Sequence, residues 1–154
     1  MPAEVGRLAE IWHSGWHEAH ARLMPPELTR LRTLESFLPR LETALAQVRV
    51  VGPPGAAVGL CIVKGDELYQ LFVDAAARGT GVAAALLTDA EDRIQRAGFA
   101  TAWLACAIGN DRAARFYEKS GWSRTGTVVY QSETAQRTIP VAVWRYEKAL
   151  IAIG

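Results

Sequence analysis

The stretch that most constrains the fold is Asp66 to Leu87, DELYQLFVDAAARGTGVAAALL. Glu67 to Val73 gathers Tyr, Leu, Phe and Val into a short run bounded by Lys64-Gly65-Asp66 and by Asp74, which predicts a buried strand. Arg78-Gly79-Thr80-Gly81 cannot extend it, because two glycines so close together favour a turn. From Val82 apolar residues recur at Leu86, Ala90 and Ile94, with Ala83 and Leu87 beside them, and that spacing is helical. Gly98 supplies the left-handed stop after Ala97. A glycine turn that opens into a helix leaves the first-turn N–H groups unpaired, with the positive dipole end behind them. Such a turn can hold phosphate. Arg78 would add charge at its rim, and the bare Gly79 and Gly81 would let ligand oxygens reach the backbone. An ordinary strand-to-helix turn has the same local pattern, so this stretch alone leaves both readings open.

Other phosphate motifs can be weighed on the same residues. A Walker A loop needs a Lys after its last glycine, and neither glycine is followed by one. Gly79-Thr80-Gly81-Val82-Ala83-Ala84 satisfies G-x-G-x-x-A, the dinucleotide fingerprint. That fingerprint opens a βαβ unit and is followed about 20 residues on by an acid that binds ribose. Here the next strand, Thr101 to Ala107, runs into Ile108-Gly109-Asn110, and two strands precede the motif. A nucleotide-binding oxidoreductase therefore lacks its acid.

A second set of residues points elsewhere. Arg78 to Ala83 reads R-G-x-G-x-A after an apolar strand. Downstream, Asn110 to Trp122 reads N-x-x-A-x-x-F-Y-E-K-x-G-W. Together, in this order and separated by one helix and one strand, they resemble the acyl-CoA loop and the following N-x-x-A-x-x-F-Y-E-K-x-G-F segment of the GCN5-related N-acetyltransferase (GNAT) superfamily. The likeness covers about residues 57 to 125. It implies a single α/β domain over residues 1–154, with a mixed central sheet and helices on both faces.

The remaining chain fits that order. Val5 to His20 predicts a helix with Leu8, Ile11, Trp12 and Trp16 on one side, weakened by Gly15 in its second half. His13, His17 and His20 follow at helical spacing and read as a polar face bordering a groove rather than a metal site. Met24-Pro25-Pro26 breaks the helix, and Thr33 caps a second one running to about Ala46. Gln47–Val51, Ala57–Val63 and Glu67–Val73 predict an antiparallel meander. The helix Gly81 to Ala97 crosses over to Thr101–Ala107, which is then parallel to the Glu67 strand. Asn110 or Asp111 caps a further helix that Gly121 ends, and Ser123–Ser132 and Thr138–Tyr146 form a last pair. The strand with which the superfamily begins has no counterpart, since only Met1 to Glu4 precede the first helix. Either the chain starts late or a neighbouring segment covers the sheet edge at Gln47–Val51; a bare edge there would be an association hazard, open to a homodimer contact.

Composition narrows the partners. A chain of 154 residues with 21% charged residues and a net charge of +1 gives no sequence-wide reason to expect nucleic acid or an anionic membrane. No apolar run reaches the roughly 18 residues of a membrane span. Glu4, Arg7 and Glu10 do not read as a secretory signal, so the expected location is cytoplasmic. Cys61 and Cys106 match no zinc spacing and read as core.

The resemblance also implies roles. Acetyl transfer to an amine needs a base, because an alkyl amine has a pKa of about 10.4, and a donor for the leaving thiolate. Tyr117 stands at the superfamily's general-acid position; a packed ring whose hydroxyl merely finds a partner is the alternative. Asn110 matches the residue that contacts the pantetheine arm, and it is equally a sound helix cap. The backbone of Leu71, Phe72 and Val73 would bind the acetyl carbonyl and pantetheine amides if their strand splays from Thr101–Ala107. Arg78, Gly79, Thr80, Gly81, Val82 and Ala83 would bind the pyrophosphate of acetyl-CoA. Glu67 lies where some members carry a catalytic glutamate, and alternation would put it on one face with Tyr69, Leu71 and Val73. A solvated carboxylate at a strand start reads the same way. Glu18 and His17 are other candidates for the base. The expected activity is acetyl-CoA-dependent N-acetylation of a small-molecule or peptide amine, without a metal. A silent acyl-CoA-binding module is the alternative. No basic or acidic cluster stands out in Ile11 to Glu35, so the acceptor stays open.

Overall fold

A computed structural model describes residues 2–150. The chain begins with α1 (Pro2–His20), α2 (Pro26–Leu31) and α3 (Leu34–Ala44). The strands β1 (Val48–Val51), β2 (Gly59–Lys64) and β3 (Glu67–Val73) follow, then α4 (Val82–Arg96), β4 (Thr101–Ala107) and α5 (Asp111–Lys119). The strands β5 (Ser123–Glu133) and β6 (Thr138–Ala149) complete the described chain. The six strands form one sheet ordered β1-β2-β3-β4-β6-β5. Only the β3/β4 pair is parallel. This is the mixed α/β sheet the sequence predicts. Among the described residues no strand precedes α1, and β1 and β5 are the sheet edges.

Strand β2 shows why two layers form. All but its last residue are buried, with Leu60 and Ile62 on one face and Cys61 and Val63 on the other. The first face packs against Trp12, Leu28, Phe37 and Leu41 of α1, α2 and α3. The second packs against Leu86, Leu87, Ala90 and Ile94 of α4 and Ala114 of α5. Phe37 and Leu41 are fully buried, so truncating Phe37 to Ala costs about 3–5 kcal/mol. Cys61 and Cys106 are buried free thiols on β2 and β4 with β3 between them. Burial pushes Cys61 up to about 12 and Cys106 up to about 11, which keeps both unreactive.

Three expectations are corrected. Helix α2 lies where the sequence suggests only a break: Pro26 stands in its first turn, where a missing N–H is harmless. Strand β6 runs past Tyr146 to Ala149, because Glu147 and Lys148 still pair with β4. The alternation along β3 also fails. Ile62 faces Gln70 while Val63 faces Leu68, so Tyr69 is the extra residue of a β-bulge. Tyr69 joins the α1 side, in an edge-on contact with Trp12 at 6.4 Å between centroids, whereas Leu71 and Val73 join the α4 side. Glu67 therefore shares a wall with Tyr69 but not with Leu71 and Val73.

The parallel pair opens at once. Glu67 pairs with Trp103, whose N–H donates to Asp66 O at 3.0 Å and whose indole Nε1 donates to Asp66 Oδ1 at 3.0 Å. Beyond that anchor no further β3/β4 pair forms among the described residues. The strands diverge, and a gap lies between them.

Candidate active site

The glycine turn lies on one side of this gap. After β3 the chain makes one tight helical turn, Ala75–Ala77, and reaches Gly81, which caps α4 in the left-handed region at φ 87°. A side chain there is strained, which is why glycine is required. No side chain caps α4, so its first N–H groups are left for a ligand. A Cβ added at Gly79 or Gly81 would meet no atom within 4 Å, so the turn faces open space. Helix α1 closes the opposite wall, and it can approach because Gly15 lies against the Phe72 ring, which a methyl group would overlap. The glycine that weakens the α1 pattern in sequence thus has a packing reason.

These elements enclose a cleft of about 400 Å³. Leu71, Phe72, Val73, Arg78, Gly79, Gly81, Val82, Ala83, Asn110 and Tyr117 all line it. Thr80 does not; its hydroxyl donates to Ala77 O and closes the turn. Asn110 caps α5 by accepting from the Ala113 N–H at 3.3 Å, and its amide nitrogen has no partner among the described residues. Arg78 is held in a two-pronged pair by Glu18, with both contacts at 2.6 Å. That bond holds the Glu18 carboxyl below its ordinary range, the opposite of what a base needs. His17, the other alternative, is occupied as well, with Nε2 2.5 Å from Arg32 O.

Tyr117 stands where cleft and gap meet, packed beside Phe116 and Trp122. Its hydroxyl makes no hydrogen bond among the described residues and is not sealed from the cleft. Burial raises its pKa first, with the Cys106 and Cys61 thiols adding to the shift. The phenol therefore keeps its proton at neutral pH.

A narrow slot of about 80 Å³ follows the gap between β3 and β4, walled by Leu71, Ala105, Asn110 and Tyr117. Through Tyr69, Gln70 and Ala105 it shares a wall with a chamber of about 100 Å³ on the α1 side. Glu67 lies in that chamber and accepts a hydrogen bond from the Tyr130 hydroxyl at 2.7 Å. Burial raises the Glu67 pKa, opposed by the Tyr130 bond and by Lys64. Tyr130 had no signature in sequence: it lies 63 residues from Glu67, on a strand that reaches β4 only through β6. His20 borders the same slot, enclosed by Trp16 and Phe72, and burial lowers it to about 4.

Residues 7–122 match the model of the acetyltransferase (GNAT) family. The chain belongs to that family. Solved GNAT structures share the fold throughout. A GCN5-related N-acetyltransferase from Rhodopseudomonas palustris aligns with a TM-score of 0.73 at 19% identity, over 97% of this chain and 91% of its own. The putative acetyltransferase YncA from Salmonella typhimurium, solved with its cofactor acetyl-CoA, aligns at 0.70 and 15% identity, over 100% and 92%. PaiA N-acetyltransferase from Thermoplasma acidophilum, in complex with coenzyme A, aligns at 0.63 and 16% identity, over 95% and 92%. No curated protein matches the sequence. In this GNAT domain the open β3/β4 gap, the uncapped glycine turn and the two titratable groups flanking the gap all come from residues 67 to 130.

Proposed function

We propose that this GNAT domain transfers an acetyl group from acetyl-CoA to a primary amine by direct attack, across the β3/β4 gap. One observation carries the reading: Tyr117 and Glu67 lie on opposite sides of one opening, Tyr117 in the cleft with the glycine turn and Glu67 in the chamber behind it. The cleft suits the cosubstrate, since uncapped N–H donors of α4 fit a pyrophosphate and Asn110 keeps a free amide group. When bound, acetyl-CoA supplies an activated thioester carbonyl.

The chain's own groups cover the remaining needs. Glu67, raised by burial, takes the amine proton directly or through one water, and Tyr130 holds its carboxylate in place. Backbone donors of the splayed β3, near Leu71 to Val73, meet the carbonyl oxygen as it turns negative. Tyr117 donates to the departing sulfur. Its raised pKa makes the neutral phenol a hydrogen-bond donor that keeps its proton until thiolate charge develops. Atoms balance: the N–C bond forms, the C–S bond breaks, the amine loses one proton and the sulfur gains one. A module that only bound acyl-CoA would need the cleft, but not the half-buried, hydrogen-bonded Glu67–Tyr130 pair behind the gap.

The test is thiol release from acetyl-CoA against a panel of primary amines. Amine-dependent release that follows Glu67 and Tyr117 supports the reading. Tight acetyl-CoA binding with no release across the panel would establish the silent module instead.

A further inference from the structure

The chamber behind Glu67 shares its outer wall with a recess of about 480 Å³ between α3, β3 and the β5–β6 turn. The two share Arg32, Arg40, Tyr69 and Glu133. Arg32 is unusual in being only 3% exposed. Its Nη1 donates to the Glu133 backbone O at 2.6 Å, while Nε is buried without an acceptor. Arg40 donates from Nη2 to the Tyr69 hydroxyl at 2.9 Å, lies over the Trp12 ring at 4.5 Å, and leaves Nη1 buried without an acceptor. Neither guanidinium forms a salt bridge with a carboxylate among the described residues. Burial and the nearby Arg40 charge pull Arg32 down to about 10, opposed by Tyr69 and Glu133. Arg30 and Lys64 add two more cations to the outer wall.

Buried like charges that lack a counter-ion are unfavourable, and a fork of N–H donors suits a carboxylate. The charges are also sorted along the cavity. Glu67, with Lys64 facing it across the β2/β3 ladder, occupies the end beside the gap, and Arg30, Arg32 and Arg40 gather at the α2–α3 end, where Glu133 is the one carboxylate on the wall. An acceptor with a cationic amine at one end and an anion at the other would match both.

Given acetyl transfer at the gap, we propose that the acceptor is an amine that also carries a carboxylate, an amino-acid-like zwitterion. Its nitrogen is directed to Glu67 and the slot. Its carboxylate lies between Arg32 and Arg40, the two guanidiniums that wall both the chamber and the recess. Apolar residues of the chamber, Trp16, Met24, Leu28 and Val141, take the intervening carbon skeleton.

The experiment measures kcat/KM for α-, β- and γ-amino acids, each against its own carboxamide, which keeps the amine and removes the charge. The expected result is a preference for the acid of about tenfold or more, the effect of a charge-assisted hydrogen bond. Arg40→Gln should bring the acid-to-amide ratio towards one, and Arg40→Lys should restore part of it. A variant that merely folds poorly lowers both rates and leaves the ratio intact. Equal use of acid and amide, a ratio unmoved by Arg40→Gln, or a preference for aminophosphonates would each overturn the proposal. A second arm needs no turnover: with coenzyme A present, an N-acetylamino acid should raise Tm more than its carboxamide does. Equal shifts overturn the carboxylate site. A retained difference without thiol release supports the site and overturns the transfer reading instead.

Discussion

The two sides of the β3/β4 gap are built by different means. The cleft side is made from two short stretches of chain, Leu71 to Ala84 and Asn110 to Tyr117, with α1 as a lid, and its polar offer is largely main-chain N–H. Its two cations, Arg78 and Arg112, both pair with Glu18. The chamber side takes its polar residues from α1, α3, β3, β5 and the residue that ends α2, chiefly as side chains, with the Glu133 backbone O holding Arg32. A nucleotide tail is the same for every acetyl donor, so backbone donors in a fixed turn suffice. An acceptor is particular, and reading it takes side chains whose positions depend on the whole sheet.

The largest expected effect probes the junction of the two sides. Tyr117→Phe keeps the ring and removes the proton, so kcat should fall by about 10² to 10⁴ while the acetyl-CoA Kd stays unchanged. Unchanged turnover, measured where chemistry limits the rate, would reassign Tyr117 to packing. Tyr117→Ala should then lower Tm through a cavity at the edge of the α4 layer.

On the chamber side, Glu67→Gln should lower kcat/KM by about 10²-fold and remove the acid limb of its pH profile. In the parent that limb lies above the ordinary carboxylate range, because burial raises Glu67 and only the ionised form accepts the amine proton. A limb that survives in Glu67→Gln would assign the base elsewhere.

The cleft side should respond in binding rather than turnover. Gly81→Val introduces a β-branched residue at φ 87° and crowds the first α4 donors, so the acetyl-CoA Kd should rise about tenfold or more by calorimetry. Part of the change appears as a lower Tm, since strain there costs about 1–2 kcal/mol. An unchanged Kd would remove the glycine turn from the binding site.

The smallest effect is one of stability, and it has a sign opposite to the usual one. The Glu67 pKa is higher folded than unfolded, so its ionisation opposes folding. The penalty is absent below the ordinary carboxylate range, grows as pH rises towards the folded value, and is constant above it. Glu67→Gln should therefore raise Tm near neutral pH and lose that advantage in acid. A fall in Tm at neutral pH would show that the Tyr130 bond outweighs burial.

Legibility followed the same division. The strand, the glycine turn and the helix of residues 66 to 97 could be read directly, because periodicity and glycine φ are properties of neighbouring residues. Both family motifs lie in such local stretches, and so do the Thr33 and Asn110 caps. The β3 bulge was hidden, since it depends on how Ile62 and Val63 line up with β3 from another strand. It turned Leu71 and Val73 away from Glu67, against simple alternation.

The sequence by itself determined the order of the strands and of every helix but α2, the parallel crossover, and the glycine turn and Tyr117 motif of the cleft, all through contacts spanning a few residues or one motif. Tertiary structure decided the chamber behind the gap. Arg32 and Arg40 are unremarkable singly, and Glu67, Tyr130 and Lys64 share no motif with them. They meet because α2 and α3 pack over the face of the sheet that the β3 bulge gives to Tyr69. Charge placement of that kind is set by long-range packing, and no window along the chain contains it.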